Sequence, residues 1–450
     1  MSKFFDKIKN IWNIEELRNR ISLTLILLLV YRLGAQITLP GIDATKLGEL
    51  QDQAKQGIGW LIDVFTGGAF SQASIFALGI MPYISASIVV QLMGIAIPYL
   101  QKLQKEGESG RRKINQITRW LTILITLVQG PGYLYNLQRT INDSSAFILG
   151  TTSFEFLFSS VLILVTGTIF AMWLGERITE KGIGNGISLL IMVGIIARLP
   201  VSFAQEYTTR ITEATGSYMM IVLELILWFV VIIACVLLVM AIRKIPVQYA
   251  RRSLSGSYDK ESLTGTRQFI PLKLNASGVM PIIFAQAIMF IPAAVLGIAD
   301  QNETAIGIAS MFNDPFGLVY NITFALLIIV FTYFYTAITV PSNKMADDLK
   351  RSGGFVPGIR PGVETSEYLD KIMSLITFPG SLYLALIAIL PAVVVSLLNV
   401  NGSWAYFYGG TSLLIMVGVA IDTIQQVNSY LLNQKYDGMM KRNKTRKAIA

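Results

Sequence analysis

The chain has 450 residues, of which 53% are apolar and 14% charged, with a mean hydropathy of +0.56, a balance that excludes a soluble globular domain. Lys and Arg number 37 against 28 Asp and Glu, histidine is absent, and Cys235 is the one cysteine. His-based zinc, haem, triad and proton-relay chemistry is therefore excluded, as is an intrachain disulfide.

Apolar runs of roughly 20 residues, the length that crosses a bilayer as a helix, recur along the whole chain. The expected fold class is an all-α polytopic membrane protein, because lipid-exposed backbone must satisfy its hydrogen bonds within helices. The first stretch, "MSKFFDKIKNIWNIEELRNR" (1–20), is amphipathic and has neither the apolar core nor the small-residue cleavage site of a signal peptide, so no removal is expected. Ten spans follow, at about 21–40, 74–97, 117–137, 154–174, 184–203, 218–242, 276–298, 316–340, 374–399 and 404–431. The segment between the first two, 41–73, contains "GIGWLIDVF" (58–66), about half the length a bilayer requires. The second span opens in the small-residue stretch "GGAFSQASIFALGIMPYISASIVVQLM" (67–93), with Pro82 near its centre. Interior glycines in spans three, four and ten permit close helix approach.

With the N-terminus inside, 31 of the 37 basic residues fall in the segments on the inner side. That bias sets the orientation and places both termini in the cytoplasm. Ten spans divide into halves of five, 1–215 and 216–450. An odd number per half requires the second to insert upside down relative to the first, the parity of an inverted repeat with a functional site near the midplane. The halves share no evident sequence similarity.

Among the few ionisable residues within the spans are Arg32, Glu155, Glu224 and Asp422. An ion-coupled transporter needs a midplane carboxylate or polar cage, for which Asp422 is the best candidate, although an interhelix hydrogen bond is its commoner role. No Walker motif, Gly-rich phosphate loop or catalytic acid pair is present, so the chain does not read as an enzyme. Ile84 and Ile88 lie four apart on one helical face, and Ile187 and Ile191 repeat the spacing behind a Gly-Asn-Gly cap. Ile283 follows a proline, and Ile415 lies in "GGTSLLIMVG". Aliphatic residues at this spacing usually face lipid or other helices, but each set here follows a Gly- or Pro-broken helix start. A ring of such side chains can seal a pore against ions by dewetting while staying deformable.

Two inner loops read as structured. In 243–275, the runs "IPVQYARR" and "RQFIPLKL" flank a polar turn and predict a hairpin. In 341–371, "GGFVPGIRPG" places prolines on both sides of Arg360 among glycines that permit tight turns. The expected product is a stiff tip presenting one guanidinium, preordered for a phosphate-rich or carboxylate-bearing partner. The basic inner face also suits anionic lipids.

The stretches "GGAFSQASIFALGIMPYISASI", "GERITEKGIGNGISLLI", "IPLKLNASGVMPIIFA", "GGFVPGIRPG" and "GGTSLLIMVGVAID", in this order and spacing, resemble the SecY family, the channel subunits of the bacterial protein translocase. The resemblance covers essentially the whole chain. It implies a protein-conducting channel of the bacterial inner membrane, with two inverted five-helix halves around a central pore and a short plug helix. Such a channel passes unfolded secretory polypeptides across the membrane and releases apolar segments sideways into lipid. The implied pore ring is Ile84, Ile88, Ile187, Ile191, Ile283 and Ile415. The implied plug is Gly59, Trp60, Leu61, Ile62, Asp63, Val64, Phe65, Thr66, Gly67, Gly68, Ala69 and Phe70. The lateral gate is placed between spans two and three on one side and seven and eight on the other, with Gln129 and Asn275 as its polar positions. Arg360, with Arg251 and Arg252 of the preceding hairpin, is the implied docking site for the motor ATPase SecA and the ribosome. The implied partners are the small membrane subunits SecE and SecG, SecA, the ribosome, the secretory preprotein and anionic lipids; no cofactor or metal is implied. Departures are confined to extra polar residues in 41–57, an irregular 207–217, and Met280 where a branched aliphatic residue is more usual. The competing reading from the residues alone is a secondary transporter of a small solute, which the lack of midplane charge pairs and the stiff Arg360 tip disfavour.

Overall fold

A computed structural model describes residues 12, 14–44, 47–48, 63–140, 154–212, 218–249, 267–296 and 314–449. Long helices occupy the places of the ten predicted spans: α1 (Glu15–Gly34), α2 (Met81–Ala96), α4 (Glu108–Thr140), α5 (Phe154–Lys181), α6 (Gly186–Thr212), α7 (Tyr218–Met240), α8 (Met280–Leu296), α9 (Leu318–Thr339), α11 (Val363–Leu398) and α12 (Gly410–Ile449). The short α3 (Pro98–Lys105) follows α2, and α10 (Ser342–Arg351) follows α9. Among the described residues, six helices are long and apolar enough by themselves to cross a membrane, or seven if α2 and α3, bent by 102°, are taken as one broken span. The chain is a multi-pass membrane protein.

Several boundaries differ from the predicted ones for physical reasons. Span two begins as a helix at Met81, not at 74, because Gly67, Gly68, Ala73 and Gly79 all hold positive φ and the stretch before Met81 is a chain of turns. Pro82 therefore stands at the first turn of α2, where its fixed φ and missing N–H are favourable, rather than in a helix interior. Pro98 likewise starts α3, after an extended Ile97. Span nine extends back to Val363, so the end of the loop before it is already helical. Pro131, Pro200, Pro379 and Pro391 sit inside long helices, which membrane helices tolerate when neighbouring groups satisfy the freed carbonyls.

The chain folds as two compact units, residues 1–218 with 400–404 and 419–450, and residues 219–399 with 405–418. In the first, a core of Leu39, Ile42, Phe70, Ala73, Ala77, Tyr133, Leu134, Phe156 and Leu164 joins the segment after α1 to α4 and α5. Near the start of α4, Arg119 donates Nε to Glu176 Oε1 of α5 at 3.2 Å and Nη2 to Oε2 at 2.5 Å. At another corner, Glu206 accepts from Arg210 Nε at 2.8 Å and from the Asn401 backbone N–H at 2.9 Å, beside an edge-to-face Phe203–Trp404 pair. A fully buried carboxylate needs such partners to offset the cost of its burial.

In the second unit, β1 (Ile242–Tyr249) and β2 (Arg267–Lys273) form the predicted hairpin, antiparallel with Ile242 opposite Lys273 and Gln248 opposite Arg267. A third strand, β3 (Gly354–Phe355), pairs with the far end of β1, Tyr249 opposite Gly354, to give the order β2-β1-β3. Phe284 of α8 packs on Phe331 and Tyr335 of α9 at centroid distances of 5.7 and 5.9 Å.

Candidate functional site

The small-residue stretch that opens the predicted second span is a buried, irregular segment of the first unit. Ala69, Ala73, Ser74 and Ala77 have no exposed surface. Its backbone is paired from outside: Leu39 N–H donates to Ala73 O at 2.8 Å, Ile75 N–H to Ile37 O at 3.0 Å, and Thr38 bridges to Ser74. Tyr133 Oη donates to Phe70 O at 2.9 Å, and Arg32 Nη1 donates to Gly67 O at 2.7 Å. Non-helical backbone at membrane depth is tolerated only when it is satisfied in this way by surrounding protein or water. Small side chains are needed because neighbours lie within touching distance. A Cβ on Gly67 would meet Arg32 Nη1 at 2.6 Å and Gly194 Cα at 2.7 Å, and one on Gly68 would meet Arg198 Nη2 at 2.8 Å. Both glycines also hold positive φ, at 68° and 96°, where a side chain is strained.

Of the implied plug, Gly59, Trp60, Leu61 and Ile62 lie outside the described residues. Asp63, Val64, Phe65 and Thr66 are helical and buried, and Gly67 to Phe70 are turns. The described part therefore ends its helix at Thr66, because the two left-handed glycines cannot continue it.

The six implied ring isoleucines lie on four helices, α2, α6, α8 and α12, all within the first two turns. Each of these helices starts at or just after a positive-φ glycine: Gly79, Gly184, Gly278 and Gly410. Ile88, Ile191 and Ile415 are buried, and Ile84, Ile187 and Ile283 are half-buried. The Gly-Asn-Gly cap forms as read: Asn185 Oδ1 accepts from the N–H groups of Ile187 at 3.2 Å and Ser188 at 3.4 Å. Thr24 Oγ1 accepts from Ile183 N–H at 3.1 Å, and Gln426 Oε1 from Gly184 N–H at 2.8 Å. The start of α6 is thereby fixed to α1 and α12 within the first unit. Gln129 is exposed on α4. Asn275 lies in the turn before α8, where its Oδ1 accepts from Ser277 Oγ at 3.2 Å.

The Arg360 tip sits on a small platform in the second unit. Ile245 and Val247 of β1, Leu272 of β2, Leu349 of α10, Val356, and Leu369 and Met373 of α11 form one buried cluster. Ser366 Oγ donates to Asn343 Oδ1 at 2.5 Å, tying α11 to α10, and Thr365 Oγ1 donates to Arg360 O at 2.8 Å. The Arg360 side chain is 87% exposed, and its nearest carboxylate, Glu364, is 3.7 Å away and itself 55% exposed. An ion pair this exposed contributes little to folding, so the guanidinium is left free to engage something outside the chain. Arg251 and Arg252 lie outside the described residues. Asp63 and Arg32 stand out separately in the sequence, and nothing local links either to Arg198. Asp63 and Arg198 form an ion pair, and Arg198 Nη2 lies 2.6 Å from Ser71 Oγ; only the uncompensated arginines in or near spans signalled it.

Comparisons with known proteins agree with this architecture. The family model described as SecY matches residues 74–424. The chain is 38% identical over 436 residues to the protein translocase subunit SecY of Aquifex aeolicus, covering 97% of this chain and 99% of that one. It is 41% identical over 433 residues to the protein translocase subunit SecY of Haemophilus influenzae, covering 95% and 94%. A solved protein-conducting channel superposes with a TM-score of 0.62 at 19% identity, covering 92% of each chain. Sec61 in a canine ribosome–channel complex superposes with a TM-score of 0.57 at 17% identity, again over 92% of each. Buried irregular backbone before α2, glycine-started helices and a three-stranded platform under the Arg360 tip thus occur in a chain that belongs to the SecY family.

Proposed function

We propose that this chain is the protein-conducting channel of a bacterial inner membrane, passing unfolded secretory polypeptides outward and releasing apolar segments laterally into lipid. The observation that carries the reading is near-full-length similarity to relatives named as translocase subunits. Both termini are cytoplasmic in this reading, which rests on the 31 inner basic residues. The halves 1–215 and 216–450 are the two inverted sets of spans. Ile84, Ile88, Ile187, Ile191, Ile283 and Ile415 make the seal, residues 59–70 the plug, and Gln129 and Asn275 the polar positions of the lateral gate. Arg360, with Arg251 and Arg252, takes up SecA or the ribosome; SecE and SecG are the small membrane partners, and anionic lipids lie against the basic inner face. The energy for movement comes from the motor or from synthesis, not from this chain.

Reconstitution with SecE, SecG, SecA, ATP and a labelled preprotein is the test. Protease-protected preprotein that depends on ATP is the expected result; uptake of a small solute without preprotein transport would overturn the reading. The seal has its own test. Ile191→Asn or Ile415→Asn wets an aliphatic constriction and should raise export of a signal-defective reporter about tenfold, which corresponds to a bias of about 1.4 kcal/mol toward the open state. Unaltered export at normal membrane levels would remove these residues from the seal.

A further inference from the structure

The turn 63–71 is held by charge as well as by packing. Within the turn, Ser71 N–H donates to Asp63 Oδ1 at 2.9 Å, Gly68 N–H donates to Asp63 O at 2.8 Å, and Thr66 Oγ1 donates to Asp63 O at 3.2 Å. From α6, Arg198 pairs with the Asp63 carboxylate and reaches Ser71 Oγ at 2.6 Å. From α1, Arg32 holds Gly67 O. Asp63 is 5% exposed, and Arg198 Nε is buried without a hydrogen-bond partner among the described residues. Two guanidiniums from two helices thus grip one nine-residue turn that contains a single carboxylate.

We infer that Asp63 and Arg198, supported by Arg32, form an ionic latch that holds the 63–71 turn against α6 and α1 and releases when the channel opens. Arg198 is then a positioning residue that sets how strong a signal is needed for opening. The inference rests on the plug reading given above. Its physical basis is the contrast between dry and wet surroundings. Asp63 is buried and the Arg198 side chain is 23% exposed, so separating the pair in place leaves the Asp63 carboxylate as a poorly compensated charge, which is unfavourable. Once a translocating chain admits water to the site, both charges are solvated and the pair is worth little. The latch is therefore strong in the closed state and weak in the open one, which makes opening all-or-none rather than graded.

The test uses the chain with its small partner subunits in vesicles and in cells. Arg198→Gln and Asp63→Asn should each raise resting ion leak, and export of a signal-defective reporter, about tenfold, the change given by 1.4 kcal/mol. Arg198→Lys, which keeps the charge, should restore most of the closure. Cysteines placed at 63 and 198 in a Cys235→Ser background and joined by a short bifunctional thiol reagent should block translocation. Deleting residues 59–66 reports on the plug reading separately. If the deletion opens the leak while Arg198→Gln and Asp63→Asn behave as wild type, the latch is wrong and the plug reading stands. If the deletion leaves the leak unchanged, the plug reading fails and the latch with it. If the single variants loosen the channel but the crosslinked pair still translocates, release is not part of opening and the latch is overturned.

Discussion

Arg360→Glu is expected to reduce SecA-driven preprotein transport at least tenfold, with normal insertion of the chain in the membrane. The side chain is 87% exposed and its contact with Glu364 spans 3.7 Å, so folding barely depends on it. In the proposed function, what depends on it is a partner. The tip is preordered by the β1–β3 pairing, by the buried cluster beneath it, and by Thr365 and Ser366. A preordered site loses little freedom on docking. An arginine at the centre of a docking surface commonly carries about 2 kcal/mol or more, and reversal adds repulsion between the new carboxylate and the group the guanidinium met. Arg360→Lys should fall between the two, since it keeps the charge and loses the planar fork. Transport assays on inverted vesicles decide it: wild-type rates for Arg360→Glu would remove the assigned role.

The second large effect is expected at Gly167→Val. A Cβ at this position of α5 would overlap the carbonyl oxygen of Ile75 and would stand 3.1 Å from Ile75 C and 3.2 Å from Phe76 Cδ1. The opposing backbone cannot retreat, because Ile75 N–H is bonded to Ile37 O and Ala73 O accepts from Leu39 N–H. Phe76 is likewise held, stacked on Tyr31 at 5.5 Å and on Phe170 at 6.1 Å. Overpacking against fixed backbone costs about 3 kcal/mol, enough to lower the melting temperature of the detergent-solubilised complex by several degrees. Gly132→Ala is the matched control, since nothing lies within 4 Å of its added Cβ and alanine is the better helix former. Equal stability of the two variants would show that the 73–76 stretch is not held as described.

Much of this protein is legible without its structure because the bilayer imposes strong local rules. Length and hydropathy locate α7 almost to the residue, since Tyr218–Met240 is one apolar run interrupted only by the single charge of Glu224. The hairpin is legible because β-prone runs flank a polar turn, and the Arg360 tip because prolines and glycines restrict the backbone locally. The Gly-Asn-Gly cap of α6 is legible because a cap needs only neighbours in sequence.

What only the tertiary structure decided are the places where distant residues compete with local preference. "GGAFSQASIFALG" is apolar enough to read as the start of a span, yet it is held as turns by Tyr133, Arg32, Arg198 and the strand-like contact with 37–39. Hydropathy measures the preference of a segment for lipid and is blind to whether protein, rather than lipid, surrounds it. The pairing of β3 with β1 was invisible for the same reason, being a two-residue strand stabilised by contacts made more than a hundred positions away. So was the partner of Asp63: a buried carboxylate requires a counter-charge, but which of the arginines supplies it depends on where α6 packs. Local chemistry thus determined the membrane helices, the hairpin and the shape of the Arg360 tip, and long-range packing determined the irregular segment between α1 and α2 and the ion pair that holds it.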